Sequence, residues 1–302
     1  MSELAIETRA LRKSYGDVEA VRGVDLAVDT GEIFALLGPN GAGKTTTVEM
    51  LEGYRRPSGG ELTVLGFTPQ KQERAFKERI GIVLQETGIE RFLTVAEAID
   101  MFRDYYPHPR VRDEIIELVG LEEKRNTLVR KLSGGQQRRL DVAIGLAGDP
   151  DLLFLDEPTT GFDPAARRGA WEMVHNLKEL GKTVFLTTHY MEEAQDLADR
   201  VAIIVGGRIV AEGSPDELVS SRGNFTRVAF RLPAGAPKPP PAILGDGQAV
   251  GERLALETTD PMRLLNGLTS WAIAEEVELE DLTVMKPSLE EIYLELTRSP
   301  GS

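Results

Sequence analysis

Three short stretches of this chain carry residue types suited to handling phosphate. Gly38-Pro39-Asn40-Gly41-Ala42-Gly43-Lys44-Thr45 fits the spacing G-x-x-x-x-G-K-[ST]. Its glycines let successive backbone N–H groups converge on one point, and a helix beginning there adds positive potential. Lys44 brings a mobile cation to the β- and γ-phosphates, the Thr45 hydroxyl can ligate Mg2+, and Thr46 can bond an upstream phosphate. In Leu152–Pro158, LLFLDEP, four apolar residues precede two acids. Asp156 can hold Mg2+ through water and Glu157 can polarise an attacking water, so hydrolysis accompanies binding. The third stretch, Leu132 to Arg139, reads LSGGQQRR and opens a helix with a small hydroxyl, two glycines and amides. It is a second phosphate-suited surface, far from the first in sequence.

Specific elements must position these groups. Ile33–Leu37 is a short apolar run that reads as a buried strand, and Thr45–Leu51 as the helix after it, the context the first motif requires. Residues 4–11, 18–28, 80–84, 152–155, 184–187 and 201–205 also read as strands. Thr94 and Glu97 form a capping-box pattern that opens a helical region reaching about residue 147, broken at Tyr106-Pro107-His108-Pro109. Asp163-Pro164 supplies an N-cap and a first-turn proline for a helix ending near Gly181, and 191–198 is a further helix. Ser214-Pro215-Asp216-Glu217 caps a short one. Strands alternating with helices predict an α/β fold with a mainly parallel sheet, helices on both faces and ligands at the carboxyl ends of the strands. The helical stretch is too long for one crossover and predicts a subdomain inserted at about 86–147.

Beyond about residue 222 the character shifts. Leu232–Gly247 is rich in Pro and Gly and reads as a loop. Around it lie strands at 227–232, 253–257 and 277–284 and helices at 262–268 and 288–296, the last with a capping box at Ser288 and Glu291. The expected division is an ATPase domain over 4–222 and a small α+β accessory domain over 223–302.

Composition narrows the functions available. A net charge of −14 gives no broad attraction for nucleic acid or anionic lipid. The absence of Cys excludes disulfides, thiolate metal sites and a Cys nucleophile. No apolar run approaches the ~18 residues that span a bilayer, and Met1–Glu7 is acidic where a secretory leader is basic and then apolar. His108, between two prolines, and His175, in mid-helix, read as structural, and Arg138 and Arg139 as packing or salt-bridge residues.

With these motifs in place, residues 4–220 resemble the nucleotide-binding subunits of ATP-binding cassette (ABC) transporters, a P-loop NTPase fold, in the same motif order. The resemblance implies that Tyr15 stacks on adenine, that Gln85 links Mg2+ and the attacking water to a membrane subunit, and that His189 contacts the γ-phosphate. It implies that Ser133, Gly134, Gly135 and Gln136 are the family signature, and that Asp163, with Gly161 and Phe162, belongs to a loop crossing a dimer interface. Phe162 stands where a leucine is usual. In the family, two chains meet head to tail and the signature of one caps the ATP on the cradle of the other, which explains why one chain carries two phosphate surfaces. Lys286–Thr297, KPSLEEIYLELT, resembles the ending of ATPase subunits from bacterial daunorubicin-type drug and antibiotic exporters, in which the membrane subunit is a separate polypeptide.

The expected function is therefore ATP hydrolysis, with ATP and Mg2+ as cofactors, driving export through a separate multi-span permease, with Ile89, Phe92 and Leu93 in a groove for that partner. A homodimer on ATP binding and a place at the cytoplasmic face of the membrane follow; no nucleic-acid partner is expected. The alternatives are a soluble mechanochemical ATPase of this type working on ribosomes or DNA, which the acidic balance and the short insert disfavour, and a nucleotide-gated assembly module with little turnover.

Overall fold

The computed structural model describes residues 3–83, 88–221, 225–233, 235–244, 248–250, 253–285 and 288–298. They form two compact units, Met1–Pro215 and Asp216–Ser302. In the first unit, β1 (Leu4–Tyr15) and β2 (Val18–Asp29) pair as a long antiparallel hairpin. Val24, Leu26 and Val28 are buried at alternate positions of β2, the period expected of a half-buried strand. After β3 (Ile33–Leu37) and α1 (Lys44–Leu51), β4 (Gly59–Val64) adds to the other side of β1. The sequence reading missed β4 and left open which sheet β1 and β2 enter. They form a separate antiparallel sheet of order β2-β1-β4, because their alternating pattern suits one solvated face.

The second sheet uses the continuous apolar runs. Helix α2 (Arg74–Arg79) leads into β5 (Ile80–Val83); β6 (Leu152–Asp156), β7 (Thr183–Thr188), β8 (Arg200–Val205) and β9 (Arg208–Gly213) complete it in the order β5-β6-β7-β3-β8-β9. All neighbours are parallel except β8 and β9. Every residue of β3 and β7 is buried, as expected for central parallel strands. Phe34, Phe185 and Phe154 occupy paired positions on β3, β7 and β6, with ring centroids 5.5 and 5.9 Å apart. Truncating a buried phenylalanine of this kind costs about 3–5 kcal/mol. The same core takes in Leu26, Val28, Met50 and Leu51, so α1 is packed between the two sheets.

Between β5 and β6 the chain leaves for a helical lobe: α3 (Val95–Arg103), α4 (Arg112–Leu118) and α5 (Gly134–Gly145), with short 3-10 turns at Glu122–Lys124 and Val129–Lys131. The capping box on Thr94 and Glu97 is formed. Helices α6 (Pro164–Glu179) and α7 (Met191–Leu197) pack together against β7, and the division between the units falls at the start of α8 (Pro215–Ser220). Among the described residues, no helix is long and apolar enough to cross a membrane.

The second unit contains β10 (Thr226–Arg231), α9 (Pro241–Leu244), β11 (Gln248–Val250), β12 (Arg253–Thr258), α10 (Pro261–Ala274), β13 (Glu280–Met285) and α11 (Leu289–Arg298). Its antiparallel sheet has the order β11-β12-β10-β13, a split β-α-β arrangement over a core of Val228, Phe230, Leu256 and Leu268. Two differences from the sequence reading stand out. Pro241 starts the short α9 inside the expected loop, and α10 runs six residues beyond Leu268 to Ala274, because Gly267 does not stop it.

One carboxyl sits almost out of the reach of solvent. Glu52, at the C-terminal end of α1, is 6% exposed. Burial, and then the charges of Asp156 and Glu49, push it up to about 8 from an ordinary 4.5. The folded protein thus keeps a proton that the unfolded chain has lost, and the stability this supplies is complete below pH 4.5 and disappears as pH rises to about 8. Glu52→Gln should raise the melting temperature more at pH 8 than at pH 5. Parallel melting curves for the two proteins across that range would contradict the assignment.

Candidate functional site

The cradle turns directly out of β3. Gly38 and Gly43 have steric reasons to be glycine: a Cβ would meet the Ile204 carbonyl oxygen at 2.4 Å in the first case and that of Ala20 at 2.6 Å in the second, where φ is also +104°. Gly43 is the N-cap of α1, whose first turn carries no acid, so no side chain of that turn opposes the positive potential there. Lys44 is buried in this turn, and its Nζ donates to the carbonyls of Gly38 (2.8 Å) and Pro39 (3.3 Å). Ala42 is buried and Pro39, Gly43 and Thr46 half-buried, while Asn40, Gly41 and Thr45 are exposed.

The acids come from β6, two strands away. Asp156 pairs in register with Thr187 of β7, whose hydroxyl donates to the Asp156 carboxylate. Glu157 follows with φ +46°, a left-handed conformation costing a non-glycine residue about 1–3 kcal/mol. Its backbone N–H donates to both the carbonyl and the hydroxyl oxygen of Thr187, each at 3.1 Å. One threonine therefore holds the Asp156 carboxylate and the Glu157 backbone.

The strained backbone sends the Glu157 side chain toward the cradle. Oε1 lies 3.6 Å from Lys44 Nζ and 3.2 Å from His189 Nδ1, the latter a close polar contact poorly directed for a hydrogen bond. Oε2 accepts from the Thr160 hydroxyl at 3.2 Å. Partial burial pushes the Glu157 carboxyl up, but His189, Lys44 and Thr160 together outweigh it and hold it below the usual carboxylate range. It is an anion at neutral pH, as a group that orients water requires.

A second buried acid braces the loops around this centre. Glu193 of α7, wholly buried, accepts from the Thr159 hydroxyl at 2.8 Å. It joins the loop after Glu157 to the helix after His189. Sequence reasoning missed Thr160, Thr187 and Glu193. Only Thr187, the first of two threonines that end an apolar strand before the histidine, left a local trace.

The structure thus brings Lys44, Asp156, Glu157 and His189 together. Ser133 and Gln136 are elsewhere occupied: Ser133 Oγ accepts from Gln136 N (3.3 Å) and Gln136 Oε1 from Ser133 N (3.0 Å), a capping box on α5. Ser133 and Gly134 are exposed, Gly135 and Gln136 half-buried. A cleft of about 460 Å3 between this helix and the core is lined by Ile89, Gly134, Arg138, Glu157 and Phe162. Asp163 caps α6 through the Ala166 N–H at 2.9 Å. Tyr15 ends β1 with 41% of its surface exposed, and Lys13 and Arg55 lie 5.1 and 5.5 Å from its ring centre. Gln85 lies outside the described residues.

The donor set bears on the metal. No group of three or more His, Cys, Asp or Glu able to hold a metal occurs among the described residues. A hydroxyl and one carboxylate, completed by phosphate oxygens and water, is the sparse protein contribution that Mg2+ usually takes.

Comparison with known proteins finds relatives for both parts of the chain. The family described as ABC transporter matches residues 21–160, and one described as the C-terminal domain of ABC transporter domain-containing proteins matches 226–288. The chain is 37% identical to the daunorubicin resistance ATP-binding protein DrrA3 of Streptomyces coeruleorubidus, covering 98% of this chain and 97% of that one. It is 38% identical to the Nod factor export ATP-binding protein I of Sinorhizobium fredii, covering 98% and 87%. Among solved structures it is similar to cbiO1 of Clostridium perfringens, part of an ABC transporter complex (TM-score 0.67, 26% identity, 73% of this chain and 92% of that one). It is also similar to a dimeric ATP-binding cassette in a post-hydrolysis state with ADP and phosphate (TM-score 0.61, 25% identity, 69% and 98%).

Thr187→Val keeps the side-chain shape and removes the hydroxyl shared by Asp156 and Glu157. Nucleotide hydrolysis should fall about 10- to 100-fold, as on loss of an outer-shell partner, with nucleotide affinity little changed. Steady-state kinetics and a binding titration check this; an unaltered turnover would remove Thr187 from the site.

Proposed function

The chain belongs to the ATP-hydrolysing subunits of the ABC transporter family, and from that premise we propose that it powers a membrane exporter through two ATP sites shared between two copies of itself. The observation that carries this reading is the convergence of Lys44, Glu157 and His189 at one sheet edge while Ser133 and Gly134 remain exposed on a different helix. One chain thus presents a cradle and, separately, a cap.

In this reading the N–H groups of Gly41 to Thr45 and the Lys44 ammonium hold the phosphates, with Pro39, Asn40 and Thr46 shaping the rest of the cradle, and Tyr15 offers an aromatic face to adenine. Thr45 and Asp156, with Gln85, would hold Mg2+, which would supply positive charge to offset that of the phosphates. Glu157 orients a water in line with the γ-phosphate, and His189 and Lys44 stabilise the charge that develops there. Catalysis of phosphoryl transfer is mostly this positioning and charge stabilisation. Ser133, Gly134, Gly135 and Gln136 at the α5 N-terminus reach the γ-phosphate on the other copy, with Asp163 near the crossing point. Closure of the dimer on ATP and its reopening after hydrolysis form the power stroke.

Export is favoured by end-to-end similarity to ATP-binding subunits named for daunorubicin resistance and Nod factor export. We assign a drug-, antibiotic- or lipid-like cargo to a separate multi-span permease that docks on the helical lobe, where Phe92 stands exposed beside Arg130. The chain is then peripheral at the cytoplasmic face of the membrane. An ATPase domain over 4–222 and an accessory domain over 223–302 is the division we adopt.

Glu157→Gln should bind ATP, hydrolyse it very slowly and accumulate as a dimer in size-exclusion light scattering. Ser133→Arg should bind ATP almost normally yet neither dimerise nor hydrolyse. Full-rate hydrolysis by a strictly monomeric wild-type chain would end the shared-site reading.

A further inference from the structure

The two arginines after the signature residues point in opposite directions. Arg139 donates to the carbonyls of Val119 and Gly120, both at 3.4 Å, and so holds α5 to the rest of the lobe. Arg138 turns into the protein and is 7% exposed. Its Nη2 donates to the Asp156 carbonyl (3.0 Å) and its Nε to the Pro158 carbonyl (3.2 Å). These are the carbonyls on either side of Glu157. Asp141, one turn further along α5, lies 3.8 Å from Nη1 and supplies opposite charge to the buried guanidinium. The guanidinium is a planar fork of five donors, so two carbonyls gripped by it are held at a fixed spacing.

That grip falls on the backbone that needs it. A non-glycine residue at φ +46° persists only where its surroundings over-determine it. Thr187 restrains the Glu157 N–H from the sheet side; Arg138 restrains the neighbouring carbonyls from the α5 side. The same helix begins at Ser133–Gln136, one turn earlier.

We propose that Arg138 is a positioning residue that fixes the backbone of Glu157 from the chain's own signature helix. The helix that caps the other copy's nucleotide thereby sets the geometry of the carboxylate serving its own. The proposal rests on the shared-site reading and adds to it a direct mechanical link between the two sites that one chain serves.

Mixed dimers of the full chain separate the possibilities, with single-turnover phosphate release from ATP-loaded dimers as the readout. The control pairs wild type with Glu157→Gln, leaving one live site. In the first test dimer Arg138→Met is on the chain whose Glu157 is intact. In the second it is on the Glu157→Gln chain. The first should release phosphate about 10- to 100-fold more slowly than the control, the upper figure being what a misplacement of about 1 Å can cost. The second should match the control, and both should bind ATP as the control does. Arg138→Lys in the first arrangement, with one donor group for two carbonyls, should fall between. Equal rates in the two test dimers overturn the proposal. So does slowing confined to the second, which would mean that Arg138 serves the cap. A control that forms no ATP-dependent dimer instead overturns the shared-site reading itself.

Discussion

Parallel pairing of β6, β7 and β3 is the constraint on which the site depends. It brings three strand ends to one edge: Leu37 leads into the cradle, Asp156 into Glu157, and Thr188 into His189. The register places Leu37 opposite Thr188 and Asp156 opposite Thr187, so residues far apart along the chain become neighbours. The row of Phe34, Phe185 and Phe154 crosses the same three strands and is wholly buried. Because side chains alternate at a period of two, a one-residue slip would turn this row to the opposite face and move the acids off the edge together.

On that frame the protein places charge where it is costly unless paired. Lys44 and Arg138 are buried cations held by backbone carbonyls with carboxylates close by; Glu193 is a buried acid held by the Thr159 hydroxyl. None is a simple ion pair. Each fixes a loop or helix start to the sheet: the cradle, the turn at Glu157, and the segment between Thr159 and α7. Removing one member of a buried network leaves its partners unsatisfied, so these residues supply precision of placement as much as stability.

Much of the α/β core and the cradle was readable locally. The Gly-Lys-Thr motif sits between a buried strand and a helix, and the helix starts at Thr94 and Pro164 carry their own signals. What escaped the reading involved pairing. β4 is a short, partly exposed strand of modest hydrophobicity that exists because β1 offers it an edge. Thr187 reads as one more strand residue until the β6 register sets it beside Asp156. Arg138 reads only as a packing or salt-bridge residue beside a glycine-rich turn, because its carbonyl partners lie 18 and 20 residues away along the chain.

By itself the sequence determined the chemistry available: a phosphate-binding turn, two acids at a strand end, a capped glycine-rich helix, and an acidic chain without Cys. These follow from short-range rules, since backbone geometry, capping and apolar runs act over a few residues. Only the tertiary structure decided which groups meet. It chose Glu157 as the acid that faces Lys44 and His189, put Thr187 against the Asp156 carboxylate and the Glu157 backbone, and turned Arg138 inward while Arg139 holds the lobe. Such encounters depend on strand register and on which face of a helix is buried, and both are settled by packing across the whole core.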